Sequence, residues 1–169
     1  MGVGVEVEGT LDWERRYRHM RLHTGQHLVS ALVYTLTGRR TVRANLAGRS
    51  ATLDLEGPLP EGVEDELARA VEAAVARARP VTIRHVPRAE WDARPIAPRS
   101  GLVPLAPRID PVRVVEIEAE DACPCGGTHL RSTAEIGVIR LEVVAAPDGR
   151  ARSRVGFTQA DPALPAPPV

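Results

Sequence analysis

Between Asp12 and Gly38, apolar side chains at Trp13, Tyr17, Met20, Leu28, Ala31 and Leu32 recur at helical spacings. Asp12 is a good N-cap and Gly38 a good C-terminal stop, so the pattern predicts one long, largely buried helix. A second amphipathic helix is predicted over 63–80. There Val63, Leu67, Ala70, Val71, Ala74 and Val75 share one face, and Pro80 ends the segment. Period-two alternation marks the strands. Residues 3–9, "VGVEVEG", suit a short edge strand. "RTVRAN" and "SATLDLEG", joined by the turn "LAGR", predict a hairpin packed on the long helix. "VTIRHV" and "VRVVEIEAED" each predict a strand, and "IGVIRLEVV" with "RARSRVGF" predict a hairpin around "PDG". From 87 to 111, five prolines follow Pro87, which leaves room for a short helix over 89–94 and then a surface loop. The fold class is α+β, with two helices packed on antiparallel sheet. Residues 1–160 are expected to form a single domain with its core over 11–157, and the proline-rich 161–169 a disordered tail.

Composition then removes several classes of function. At 169 residues and 43% hydrophobic content the chain can bury a core without disulfide help. There is no basic segment followed by an apolar run at the N-terminus, and no stretch approaches a membrane span, so the expectation is a soluble, cytoplasmic protein with no membrane partner. Basic and acidic residues balance at 22 each, which argues against broad, non-specific nucleic-acid binding. Every basic residue is arginine, a bias that fits the base composition of a genome as well as any binding role.

The candidate chemistry sits in two stretches. In "HTGQH", His23 and His27 lie four residues apart on the long helix, about 6 Å along its axis and about 40° around it, so both imidazoles can face one point. In "CPCGGTH", Cys125 and His129 have the same spacing on a segment that Gly126 and Gly127 keep from being helical. One residue between Cys123 and Cys125 makes a disulfide ring badly strained, and a thioredoxin-type redox motif needs two. Thr24 stands where a zincin peptidase carries its glutamate, so "HTGQH" is not a protease signature. Each motif is a weak signal alone. Together they offer three imidazoles and a thiolate, a donor set that Zn2+ accepts in tetrahedral geometry.

"MRLHTGQHLVSALV" together with "CPCGGTHLRSTAEIGVIRL" resembles the editing domain of alanyl-tRNA synthetases and its free-standing relatives, the AlaX-type alanyl-tRNA editing proteins. The resemblance runs over 11–157 and takes in "TLDLEG", "TAEIG" and the closing "RVGF" in the family order. It implies the fold of the second additional domain of threonyl- and alanyl-tRNA synthetases. It further implies zinc held by His23, His27, Cys125 and His129, and hydrolysis of the ester linking serine, and sometimes glycine, to tRNA(Ala). No ATP-binding signature is present, so errors made elsewhere would be the substrate. Serine should be edited better than glycine: a site that hydrogen-bonds a hydroxyl rejects an analogue lacking it by about 10⁴ or more. Editing of seryl-tRNA(Thr) or another aminoacyl ester, or a non-catalytic zinc or tRNA-binding module, stay open as alternatives.

Four closed protein ligands resemble a structural zinc, so metal-assisted orientation with water attack is the favoured mechanism. Thr24 and Gln26, between the histidines, are candidates for substrate positioning. The family commonly has threonine at the position of Gln26. Some relatives read serine with a threonine near the first hairpin strand, where this chain has Ala44 and Asn45 after Thr41. The backbone N–H groups of Gly126 and Gly127 are oxyanion candidates. Arg15, Arg16, Arg18 and Arg21, before His23, are candidates for tRNA phosphate contacts. His19 and His85 are expected to be ordinary, and oligomeric state is not legible.

Overall fold

The computed structural model describes residues 3–94, 105–145 and 153–159. Helix α1, Trp13–Thr37, has the caps its sequence predicts: the Asp12 carboxylate accepts from the Arg15 N–H, and Gly38 is left-handed at φ 69°. Residues 24–33 of α1 are buried without interruption. A helix buried all round must lie between layers. One layer is the antiparallel sheet β1 (Thr41–Ala47), β2 (Ser50–Leu55), β7 (Ser153–Gln159) and β6 (Ile139–Ala145), in the spatial order β1-β2-β7-β6. Its inner face gives Ala51, Leu53, Leu55, Val155 and Phe157 to the core against Leu22, Leu28, Val29 and Val33 of α1. Gly25 lets the helix approach, since a methyl there would sit 3.3 Å from the Phe157 ring.

Helix α2, Val63–Ala76, adds Leu67, Val71 and Ala74 to the same core. It stops before Pro80. Ala78 is left-handed at φ 52°, and Thr133 takes over the end of the helix, its hydroxyl donating to the Ala74 carbonyl and accepting from the Arg79 N–H. A second antiparallel sheet contains β3 (Val81–Val86), β4 (Val112–Ile117) and β5 (Asp121–Pro124). Between β3 and β4 lies the short helix α3, Arg88–Asp92, close to its expected place. No helix among the described residues is long and apolar enough to cross a membrane.

Two expectations change. Residues 5–10 form no strand, and Val5 and Val7 are 60% and 68% exposed: alternation permits a strand, but without a pairing partner it does not make one. "VRVVEIEAED" is not one strand but β4, a tight reversal through Ala119 at φ 61°, and the start of β5. The expected antiparallel sheet is present, divided into a four-stranded and a three-stranded sheet. The hairpin β6–β7 forms as expected, with its "PDG" turn outside the described residues. The loop over 95–104 and the 161–169 tail also lie outside them.

Candidate metal centre

The reversal after β4 aims the cysteines. In β5, Asp121 pairs with Ile117 and Cys123 with Val115, while the Cys125 N–H donates to the Arg113 carbonyl just beyond the strand. Alternate residues of a strand share a face, so Asp121 and Cys123 fall on the side of Val115 and Ile117, toward α1, and Ala122 turns to the small cluster of Val86, Val112 and Val114. His23 and His27 meet them from α1. The segment after Cys125 is tied back twice. Arg131 and Ser132 N–H groups donate to Glu135, whose carboxylate also accepts from Tyr17 of α1. The 3-10 turn Thr133–Ile136 is closed by a Ser132–Glu135 capping box.

Ligand-type atoms of His23, His27, Cys125 and His129 all lie within 4.8 Å of one another, a group that could hold a metal ion. Cys125 Sγ is 3.5 Å from His23 Nε2 and 3.4 Å from His129 Nε2. His27 and His129 are buried and His23 and Cys125 half-buried, so the solvent exposure of the cluster comes through His23 and Cys125. Burial alone would raise the Cys125 thiol, but hydrogen bonds with His129, His23 and His27, and the Gly127 N–H, hold it down at about 3. Burial, then the neighbouring His27 and His23, lowers His129 to about 4. Burial likewise disfavours the charged form of His27, yet Asp121, Cys123 and Cys125 outweigh it and hold this imidazole well above its ordinary value. Thiolate and neutral His129 are the states a metal takes up.

The residues around the candidate ligands are placed differently from expectation. Thr24 is fully buried; its hydroxyl oxygen accepts from the Leu130 N–H at 3.1 Å and lies 3.2 Å from His129 Nδ1, so it braces a candidate ligand rather than facing solvent. Gln26 is buried, with its amide nitrogen unpartnered among the described residues. The Gly127 N–H points at Cys125 Sγ, 3.4 Å away, and so serves the thiolate rather than an oxyanion. A Cβ at Gly127 would overlap Cε1 and Nδ1 of His23, whereas Gly126 has open space. Arg21 is 2% exposed and donates to the Glu135 and Ile136 carbonyls, which corrects its placement among phosphate-facing arginines. Arg18 pairs with Glu14 one turn away, and Arg15 and Arg16 have no side-chain partner among the described residues. Thr41 is buried against Ser30, their hydroxyls 2.6 Å apart, and Asn45 lies on the outer face of the β1–β2 hairpin with Arg43, Thr52, Asp54 and Arg154.

Sequence reasoning passed over Asp121 and Arg113 and assigned Cys123 no role. Cys123 Sγ is 3.1 Å from His27 Nδ1, Asp121 Oδ2 is 3.4 Å from the same nitrogen, and the Arg113 guanidinium donates to the Cys125 carbonyl. The available signal was the period of β5, which puts Asp121 in phase with Cys123.

The chain is similar to known proteins over most of its length. Residues 112–154 match the family described as Threonyl and Alanyl tRNA synthetase second additional domain. The alanyl-tRNA editing protein AlaX-M of Methanosarcina acetivorans is 33% identical over 169 residues, covering 94% of this chain and 65% of its own length. The chain is a relative of the alanyl-tRNA editing proteins. AlaX-L of Pyrococcus horikoshii is 32% identical over 139 residues, covering 82% of this chain and 33% of its own. An alanine–tRNA ligase of Pyrobaculum arsenaticum is 38% identical over 152 residues, 83% of this chain and 16% of the ligase. The chain thus spans from 16% to 65% of the length of these relatives.

Proposed function

We propose that the chain is a zinc-dependent hydrolase that edits tRNA(Ala) mischarged with serine, and less efficiently with glycine, by cleaving the aminoacyl ester at the tRNA 3′ end. The observation that carries this reading is the meeting of the α1 histidines with Cys125 and His129 within 4.8 Å, in a relative of proteins named for alanyl-tRNA editing.

Zinc fits the donor set. Tetrahedral Zn–N and Zn–S bonds put nitrogen and sulfur about 3.5 Å apart, and the two N···S separations here are 3.4 and 3.5 Å. His23, His27, Cys125 and His129 would hold the ion. When bound, it supplies a Lewis acid toward the polar groups of the aminoacyl ester. The chain's own groups do the positioning. Thr24 braces His129, Gly127 leaves room for His23, and half-buried His23 and Cys125 turn the open side of the cluster to the arriving ester. Water adds to the ester carbonyl, the tRNA hydroxyl leaves, and the free amino acid is released. Holding ester and water in attack geometry is worth roughly 7 kcal/mol or more in favourable cases. Since four protein ligands complete a tetrahedron, we favour orientation of the substrate over generation of hydroxide as the role of the centre.

The test is deacylation of seryl-, glycyl- and alanyl-tRNA(Ala) and of seryl-tRNA(Thr), with zinc and after its removal by a chelator. Zinc-dependent cleavage of seryl-tRNA(Ala) ahead of the others is expected. Preference for seryl-tRNA(Thr) moves the substrate, equal cleavage of the alanyl ester removes the editing role, and inert esters throughout leave a binding module. Metal content locates the ligands: Cys125→Ala should release zinc and Cys123→Ser should retain it.

A further inference from the structure

Asp121 is a buried carboxylate whose position has no explanation in the fold alone. Its side chain is 2% exposed, and neither oxygen makes a hydrogen bond of ordinary geometry among the described residues. A buried anion persists only beside a compensating group. The group facing it is His27 Nδ1, 3.4 Å from Oδ2. His27 is itself 4% exposed, and Cys123 Sγ approaches the ring on the same edge, at 3.1 Å from Nδ1 and 3.9 Å from Nε2.

An imidazole has two nitrogens, and a ring that ligates through one must place a proton on the other. A carboxylate at Nδ1 selects the tautomer whose N–H points at it. It thereby fixes the ring angle and leaves the Nε2 lone pair for the point shared with His23, Cys125 and His129. Such outer partners raise ligand basicity, and their loss costs metal affinity. Two acceptors compete for this N–H, Asp121 and Cys123. The carboxylate is the stronger, because ionised acceptors make bonds about twice as strong as neutral ones, while sulfur is a weak acceptor.

We infer that Asp121 is a positioning residue for the metal centre: it holds His27 through Nδ1 and is not itself a ligand. The strand register makes this possible, since Asp121 sits opposite Ile117 on the α1-facing side of β5, two residues before Cys123 and four before the ligand Cys125. The inference rests on the proposed ligand set.

Zinc affinity, read by competition with a chromophoric chelator, tests it on the full chain and on Asp121→Asn, Asp121→Ala and Asp54→Asn. Asp54 is a control of similar kind, a carboxylate held by Arg154 on the outer face of the other sheet. Both Asp121 variants should bind zinc about 10- to 100-fold more weakly, with Asp54→Asn unchanged. On the zinc-loaded wild type, long-range 15N–1H correlation should show His27 protonated at Nδ1 and bound through Nε2, a readout that does not depend on the variants folding. Affinity within twofold of wild type in a folded Asp121→Asn, or His27 bound through Nδ1, would overturn the inference. So would two zinc ions per wild-type chain falling to one in Asp121→Asn, because Asp121 would then be a ligand. A wild type that takes up no zinc defeats the proposed ligand set as well, which separates the two failures.

Discussion

The Thr24 hydroxyl oxygen stands between two parts of one ligand segment, 3.2 Å from Nδ1 of His129 and 3.1 Å from the amide nitrogen of Leu130. Helix α1 therefore supplies two proposed ligands and also clamps a third. If His129 binds through Nε2, its Nδ1 donates to Thr24, and the hydroxyl accepts from both neighbours. Thr24→Val keeps the shape and removes the acceptor. It should cost about 1–3 kcal/mol in stability by leaving the buried Leu130 N–H unpaired, and about tenfold or more in zinc affinity. Thr24→Ser should recover most of both. Denaturant melts and chelator competition measure the two effects separately, and equal affinity in all three proteins would remove the clamp.

The two glycines of "CPCGGTH" should behave oppositely. Alanine at Gly127 meets the His23 ring, so either the ring or the loop must move; at Gly126 it meets nothing within 4 Å. Neither glycine is among those at positive φ, so the difference is space and not backbone conformation. Gly127→Ala should fall well below one zinc per chain, and Gly126→Ala should retain a full equivalent. Metal analysis after dialysis decides it, and a fully loaded Gly127→Ala would mean that His23 is dispensable.

The parts of this fold that were legible in the sequence are those governed by local chemistry. Asp12 and Gly38 delimit α1 because a cap is a matter of a few adjacent residues. The four proposed ligands stood out because a metal needs particular atoms at particular spacings. The β4–β5 reversal was hidden: "EAE" has no glycine, proline or asparagine, and Ala119 adopts a left-handed turn usually left to those residues. The early end of α2 depends on Thr133, more than fifty residues away in the chain. Asp121, Thr24 and Arg21 were misread or passed over for a common reason. A charge or hydroxyl in sequence looks solvated, and only tertiary packing reveals the imidazole or carbonyl it serves.

Tyr17 gives the metal-free fold a pH signature. Burial first, then the hydrogen bond to Glu135 and that carboxylate's charge, raise the phenol from 10 to about 12. A raised value means the folded state keeps the proton longer than the unfolded chain. The contribution is therefore complete below pH 10 and is lost as pH rises toward 12. Titration at 295 nm should show one of the two tyrosines ionising late, and Tyr17→Phe should abolish that late step. A late step that survives in Tyr17→Phe would assign it to Tyr34 instead.

The arginines of α1 divide by position, and the division predicts different defects. Arg16 is seven residues before His23, which returns a helix to nearly the same face about 10.5 Å farther along. It has no side-chain partner among the described residues. Arg18 is already paired with Glu14, and Arg21 is buried on the Glu135 and Ile136 carbonyls. If the 3′ end of a tRNA reaches the centre from that end of α1, Arg16 is best placed to meet a phosphate. Arg16→Gln should raise KM for the charged tRNA and lower the slope of log affinity against log salt by about one, with melting unchanged. Arg18→Gln should do little. Arg21→Gln should unfold at lower denaturant, because two buried carbonyls lose their donor. Binding isotherms at several salt concentrations beside melts of all three variants test the division. An unchanged salt slope in Arg16→Gln would place the tRNA on another face.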